Sequence, residues 1–232
     1  MKILSIAVFC IAFTLSPLTY AQTTWNLAKD LGQTSNQISF SQGSNQTWYF
    51  MESASLVHDP TLYRFLTQYL GPCQSSDSGD TVNGVGCWHG TESVMGDVHL
   101  RTEVAFNFTN ELLDAKDEEF AGYQPRASLI TATWERFAII AWRSPITGAV
   151  RVDGEFGFRS FKADGVNWYV DKGSTTVTWG HLFGGDCCGP VKIGRLPIRQ
   201  GEVIYFIVDD LNTDDNYSAN PVDFRMAIKQ VE

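Results

Sequence analysis

The chain has 232 residues, of which 44% are hydrophobic and 19% charged, enough apolar material for a real core and too much for a disordered chain. Seventeen Lys and Arg against 26 Asp and Glu leave a net charge of −9. An acidic surface repels phosphate backbones, so nucleic acid and anionic membrane are poor partners.

The first predicted element is a targeting segment over residues 1–21. Met1-Lys2 leads into an apolar stretch from Ile3 to Leu15, and Thr19 and Ala21 place small residues ahead of a cut before Gln22, the three-part layout of a secretory signal. Ser16-Pro17 interrupts the run before the roughly 20 apolar residues of a membrane span, and no other segment approaches that length. The expected product is one exported domain, residues 22–232, extracellular or periplasmic. Cys10 leaves with the signal, and the remaining Cys73, Cys87, Cys187 and Cys188 read as disulfides in an oxidising compartment. Three pairings are open; Cys73 with Cys87 and a vicinal Cys187 with Cys188 is favoured over cross-pairing. Zinc, with His89 or His181 as further ligands, is the rival, but no Cys-x-x-Cys spacing marks it.

Along the mature chain, short runs of alternating apolar and polar residues predict strands. They begin at residues 38–40 and 47–51. Residues 60–69 space Leu62, Phe65, Leu66 and Tyr69 as a short helix would, with a strand as the competing reading. Residues 71–96, holding Cys73 and Cys87, read as a long loop of the kind that carries binding surfaces. Val98, Leu100, Thr102, Val104 and Phe106 alternate cleanly, and residues 110–120 form an acidic linker or helical turn. Residues 128–134 and 136–143 are more fully apolar strands. Val150, Val152, Gly154, Phe156 and Phe158 share a face opposite Arg151, Asp153 and Glu155. Further strands follow at 165–170, 175–179, 204–208 and 222–228. About ten short strands with Gly and Pro turns predict an all-β fold, an antiparallel two-sheet β-sandwich of the jelly-roll kind.

Several stretches carry a further likeness: Asn45-Gln-Thr-Trp48-Tyr-Phe, Ala141-Trp-Arg-Ser-Pro145-Ile-Thr-Gly148, Asp164-Gly165-Val166-Asn-Trp168-Tyr-Val, Gly201-Glu-Val-Ile-Tyr-Phe-Ile-Val-Asp209 and Asp223-Phe-Arg-Met-Ala-Ile228. In their order the chain resembles secreted bacterial jelly-roll modules similar to carbohydrate-binding modules. The resemblance implies a sandwich fold and carries no functional residue onto a numbered position.

No Gly-x-Ser-x-Gly elbow or Cys/His signature marks a nucleophile. Asp153 and Glu155 share a strand face as a carboxylate pair could, or as an ordinary solvated face. Asp210, Asn212 and Asp214 place hard oxygen ligands at alternate positions, so a structural calcium is a candidate cofactor. The EF-hand pattern itself fails, with Asp215 at the turn glycine and Pro221 at the bidentate glutamate. The other reading is an acidic solvated loop.

Sugar recognition uses aromatic faces rimmed by amides and carboxylates. Trp142 and Trp168, within apolar strands, read as core. Trp88 and His89, between Gly86 and Gly90, read as a platform on the long loop, and Trp179 and His181 would join it if both loops share one end of the sandwich. The expectation is an exported, non-enzymatic carbohydrate-binding protein whose partner is a glycan or extracellular matrix polymer. The alternative is a structural or adhesive subunit, a fibre or matrix component, in which self-association replaces sugar binding. Asn45, Asn107 and Asn216 are glycosylation sequons.

Overall fold

Alternation of side chains across each strand sorts this chain into two layers. The computed structural model describes residues 23–32, 47–74, 81–95, 98–113, 122–158, 165–183, 188–211 and 220–232. The signal segment, the strand expected at 38–40, Cys187, Asn212, Asp214 and the sequons at Asn45 and Asn216 lie outside them. In chain order the elements are β1 (Thr24–Asn26), α1 (Leu27–Gly32), β2 (Trp48–Ser53), β3 (Tyr63–Phe65), β4 (Gln68–Leu70), β5 (Cys73–Gln74), β6 (Thr81–Val82), β7 (Val85–Met95), β8 (Val98–Asn107), β9 (Ser128–Thr131), β10 (Ala138–Arg143), β11 (Gly148–Phe158), β12 (Val166–Lys172), β13 (Thr175–Leu182), β14 (Cys188–Ile198), β15 (Val203–Asp210) and β16 (Val222–Val231).

An eight-stranded sheet runs β14-β11-β16-β9-β8-β7-β4, with β1 pairing β16, and a six-stranded sheet runs β13-β12-β15-β10-β2-β3. Neighbouring strands pair antiparallel throughout. From β9 onward the chain crosses between sheets at nearly every step, so the antiparallel sandwich expected from the sequence is the observed fold.

The core lies between the sheets and holds Trp48, Phe50, Trp88, Phe106, Ile140, Trp142, Phe156, Trp168, Phe206 and Phe224. Trp142 and Trp168 are buried there as expected. Leu27 and Leu31, one turn apart on α1, reach the same core. Asn26 caps that turn, its Oδ1 accepting from Lys29 N at 2.9 Å.

The structure decides three points that the sequence raised. Residues 60–69 form a 3-10 turn at Pro60–Leu62 and then β3 and β4, with no α-helix. Tyr63 pairs with Ser53 in one sheet and Gln68 with His89 in the other, so pairing at both sheet edges draws the segment out. The loop at 71–96 contains an eleven-residue strand, β7. Its glycines serve close packing: a Cβ on Gly86 would lie 2.6 Å from Tyr69 Oη, and one on Gly90 would overlap the Glu52 carboxylate. Finally, Asn107 is fully buried, its Nδ2 donating to the carbonyls of Glu111 at 2.8 Å and Tyr123 at 2.9 Å, which sequesters that sequon in the folded chain.

Cys73 and Cys87 form a disulfide. It packs with Val82, Val85, Ala105, Tyr123 and Leu129 in a second apolar cluster. Cys188 is also disulfide-bonded.

Candidate ligand-binding face

Strand register places one row of side chains across all six strands of the smaller sheet, Trp179-Tyr169-Ile207-Ile139-Met51-Phe65. This row points away from the core, because the inward positions of the same strands are Gly180, Trp168, Val208, Ala138 and Phe50. Its two ends are open: Trp179 is 64% exposed and Phe65 51%. Its middle, Ile139 and Ile207, is fully buried within a third cluster with Tyr63, Phe137, Ala141 and Tyr205.

On one side of the aromatic row lies a polar one, His181-Asn167-Asp209. His181 Nδ1 donates to Asn167 Oδ1 at 2.9 Å, and Asn167 is hydrogen-bonded to Asp209 in turn. On the other side lies the row Asp171-Tyr205-Ala141-Tyr49. His58, on the segment between β2 and β3, reaches down to this surface. Its Nδ1 lies 2.6 Å from Asp171 Oδ2, and its ring meets Phe137 and Tyr169 edge-on at 5.0 and 4.4 Å between centroids.

Burial shifts two acids of this region. It pushes the Asp209 carboxyl up from the usual range, against the opposing effects of the Asn167 hydrogen bond and the His58 charge. Burial first, and then the charges of Asp171, Tyr205 and Asp59, hold the Tyr63 phenol well above its ordinary range. A raised folded value for an acid means that ionisation costs native stability, and the loss develops as pH rises from the unfolded carboxylate value through the folded one. Asp209→Asn is therefore expected to raise the melting temperature at neutral pH and to give no gain below the unfolded carboxylate value. Thermal melts of both proteins across pH measure this, and a gain largest at acid pH would contradict it.

The four predicted ligand residues do not come together. Trp179 and His181 stand on β13, an edge of the six-stranded sheet, whereas Trp88 and His89 stand on β7 of the other sheet. Strand β13 neighbours β14 while β7 neighbours β2, so the two pairs lie toward opposite sides of the sandwich. The expectation of Trp88 as an open platform is corrected: the ring is 1% exposed and packs on Phe50 and Tyr69 at 4.5 and 4.9 Å. Inward alternation along β7, rather than a loop, sets that position.

His89 is buried beside Glu103, with Nε2 to Oε2 at 2.8 Å. Cys73, Cys87, His89 and Glu103 gather their ligand atoms within 4.8 Å, but the two sulfurs are bonded to each other and offer no thiolate to zinc. Of the calcium ligands, Asp210 is described; it is buried, and its Oδ1 accepts from Asn220 Nδ2. Asp153 and Glu155 lie on the outer face of the larger sheet in ion pairs, Arg151 Nε to Asp153 Oδ2 at 2.6 Å and Arg225 to Glu155 at 3.6 Å. Tyr169, Asn167, Asp209, Asp171 and His58 were not among the ligand residues expected from the sequence, which offers His58 as an ordinary surface or packed histidine and Asp209 as part of an acidic run. Asn167, Tyr169 and Asp171 alternate visibly around Trp168, but only register shows which residues they meet.

The sequence matches no family model and no curated protein. Among solved structures, the chain is similar to the carbohydrate-binding module CBM51 from Clostridium perfringens GH95 in complex with methyl-galactose, over 90% of this chain and 100% of that one, at 11% identity and a TM-score of 0.39. It is also similar to the CBM36-1 domain of a multidomain xylanase from the hindgut metagenome of Trinervitermes trinervoides, over 64% and 98% of the two chains, at 10% identity and a TM-score of 0.31. A third is the carbohydrate-binding module CBM36 in complex with calcium and xylotriose, over 52% and 87%, at 8% identity and a TM-score of 0.29.

Proposed function

We propose that this chain is an exported binding protein that takes carbohydrate on the outer face of its six-stranded sheet, without catalysing a reaction. The observation that carries the reading is Trp179. A large aromatic ring left open to water on a regular strand makes a flat apolar platform, which suits the C–H face of a pyranose. Cross-strand pairing to Tyr169 broadens it. Asn167, Asp209 and His181 beside it supply the few placed polar groups that hydroxyls need. The ion pairs of Asp153 and Glu155 support a non-catalytic reading, since their carboxylates face arginines rather than a cleft. The Cys73–Cys87 disulfide supports export, with residues 22–232 as one mature domain. A structural calcium held by Asp210, Asn212 and Asp214 belongs to the same reading, and would raise the melting temperature in calcium relative to chelator.

The test is a glycan array probed with the purified protein, followed by titration of the best sugar into Trp179→Ala. The variant is expected to lose about tenfold or more in affinity, roughly 1.4 kcal/mol, while its stability stays within about 0.5 kcal/mol of the parent. Unchanged affinity would move the site elsewhere. Ordered polymers that bind no sugar would favour the structural subunit instead.

A further inference from the structure

The segment from Ala54 to Leu62 is built on itself. Its backbone bonds run Ala54 N to Leu62 O, Asp59 N to Val57 O and Leu62 N to Asp59 O, and Asp59 accepts from Thr61. Its apolar residues Leu56, Val57 and Leu62 are exposed and do not anchor it to the sheet. Among the described residues, the hydrogen bond that ties the segment to the sheet face is the one from His58 to Asp171. The segment therefore meets the face through one imidazole.

Beneath that imidazole the polar groups are under-supplied. Asp171 is 0% exposed, and its Oδ1 has no hydrogen-bond partner. Tyr63 is 8% exposed, and its Oη has none either. Leaving such groups buried and unmade is costly. The carboxylates around His58 are Asp171, Asp59 and Asp209, and among the described residues no lysine or arginine is paired with any of the three. The rings of Phe137 and Tyr169 close the sides, with Tyr63 against Tyr205 at 5.1 Å. Aromatic walls with a buried anion at the base favour a cation. An imidazole makes one bond here, at Asp171 Oδ2. A primary ammonium carries three donors, and the carboxylate presents two acceptors, Asp171 Oδ1 and Oδ2, with the Tyr63 phenol near enough to feel its charge.

We propose that residues 54–62 form a lid over a cation cage, with His58 seated in the cage when the lid is closed, and that the ligand which displaces it carries a primary ammonium. Resting on the carbohydrate reading above, this makes the ligand an amino sugar with a free amine. The aromatic row holds the ring, and the cage receives the amine.

The experiment titrates the full chain with glucosamine oligomers and with N-acetylglucosamine oligomers of equal length, following affinity and the NMR signals of the His58 imidazole. The free amine is expected to bind about tenfold tighter and to shift the His58 signals. His58→Ala is expected to tighten amine binding by removing the competitor, and Asp171→Asn to remove the preference. Equal affinity for the two oligomers overturns the cage and leaves the carbohydrate reading standing. If neither sugar binds, the amino-sugar ligand falls, the carbohydrate reading is decided by the glycan array, and the cage is decided by His58→Gly. Methylammonium chloride is then expected to raise the melting temperature of His58→Gly more than sodium chloride at equal ionic strength. That gain should vanish when Asp171→Asn is added. Equal shifts in the two salts overturn the cage.

Discussion

Replacing Trp88 by alanine is expected to destabilise the protein by about 3–5 kcal/mol, the range for removing a large buried aromatic and leaving a cavity. The indole is 1% exposed, lies against Phe50 and Tyr69, and stands on a strand paired on both sides, by β4 and β8. Its neighbours are held by those pairings and cannot collapse far into the vacated space. Urea denaturation of Trp88→Ala and Trp179→Ala makes the comparison. The first should fall by several kcal/mol and the second by less than about 0.5 kcal/mol. A loss under about 1 kcal/mol at Trp88 would be incompatible with a ring in the core.

Removing the Cys73–Cys87 bond, as the double variant Cys73→Ala with Cys87→Ala, is expected to cost about 3 kcal/mol. The cysteines are 14 residues apart, and closing a loop of that size constrains the unfolded chain by this amount in the entropic account. Alanines retain part of the apolar contact with Val82, Ala105 and Leu129, so the loss reports mainly the constraint. Denaturant melts of the two proteins under non-reducing conditions measure it. Retention of full stability would mean that the short pairing of β5 with β6 already holds the loop.

Period-two alternation made the sandwich legible wherever one strand face is core and the other water, as over Val98–Asn107 and Val222–Val231. It also marked β10 as fully apolar, and the reason is now visible. Ala138, Ile140 and Trp142 enter the main core, while Ile139 and Ala141 lie in the cluster outside the sheet. Strand β14 escaped notice because Pro190 and Pro197 punctuate it. Both are tolerated because β14 is an edge paired only to β11, with a bulge between its partners Val150 and Val152. Trp88 misled because its flanking glycines suit a mobile loop and a tightly packed strand alike. Which reading holds depends on Tyr69 and Glu52, distant in sequence. Trp179 and His181 were legible as candidates, but their surroundings were not: a bulge between Val170 and Asp171 shifts the β12–β13 register, and pairing of β12 with the distant β15 leaves no local trace.

The alternation on β12 and β13 has an evolutionary consequence. Trp168 is pinned inward, its indole lying where any side chain on Gly180 or Gly189 would have to go, so these positions are closed to drift. Their immediate neighbours Asn167, Tyr169, Trp179 and His181 contribute to the outer surface instead. Selection can rewrite one set of letters while holding the other fixed, residue by residue along the same two strands. A lineage descended from this chain could therefore exchange ligands quickly without crossing a fold-breaking intermediate. A saturation library confined to the outward positions should recover far more folded members than one confined to the inward positions beside them.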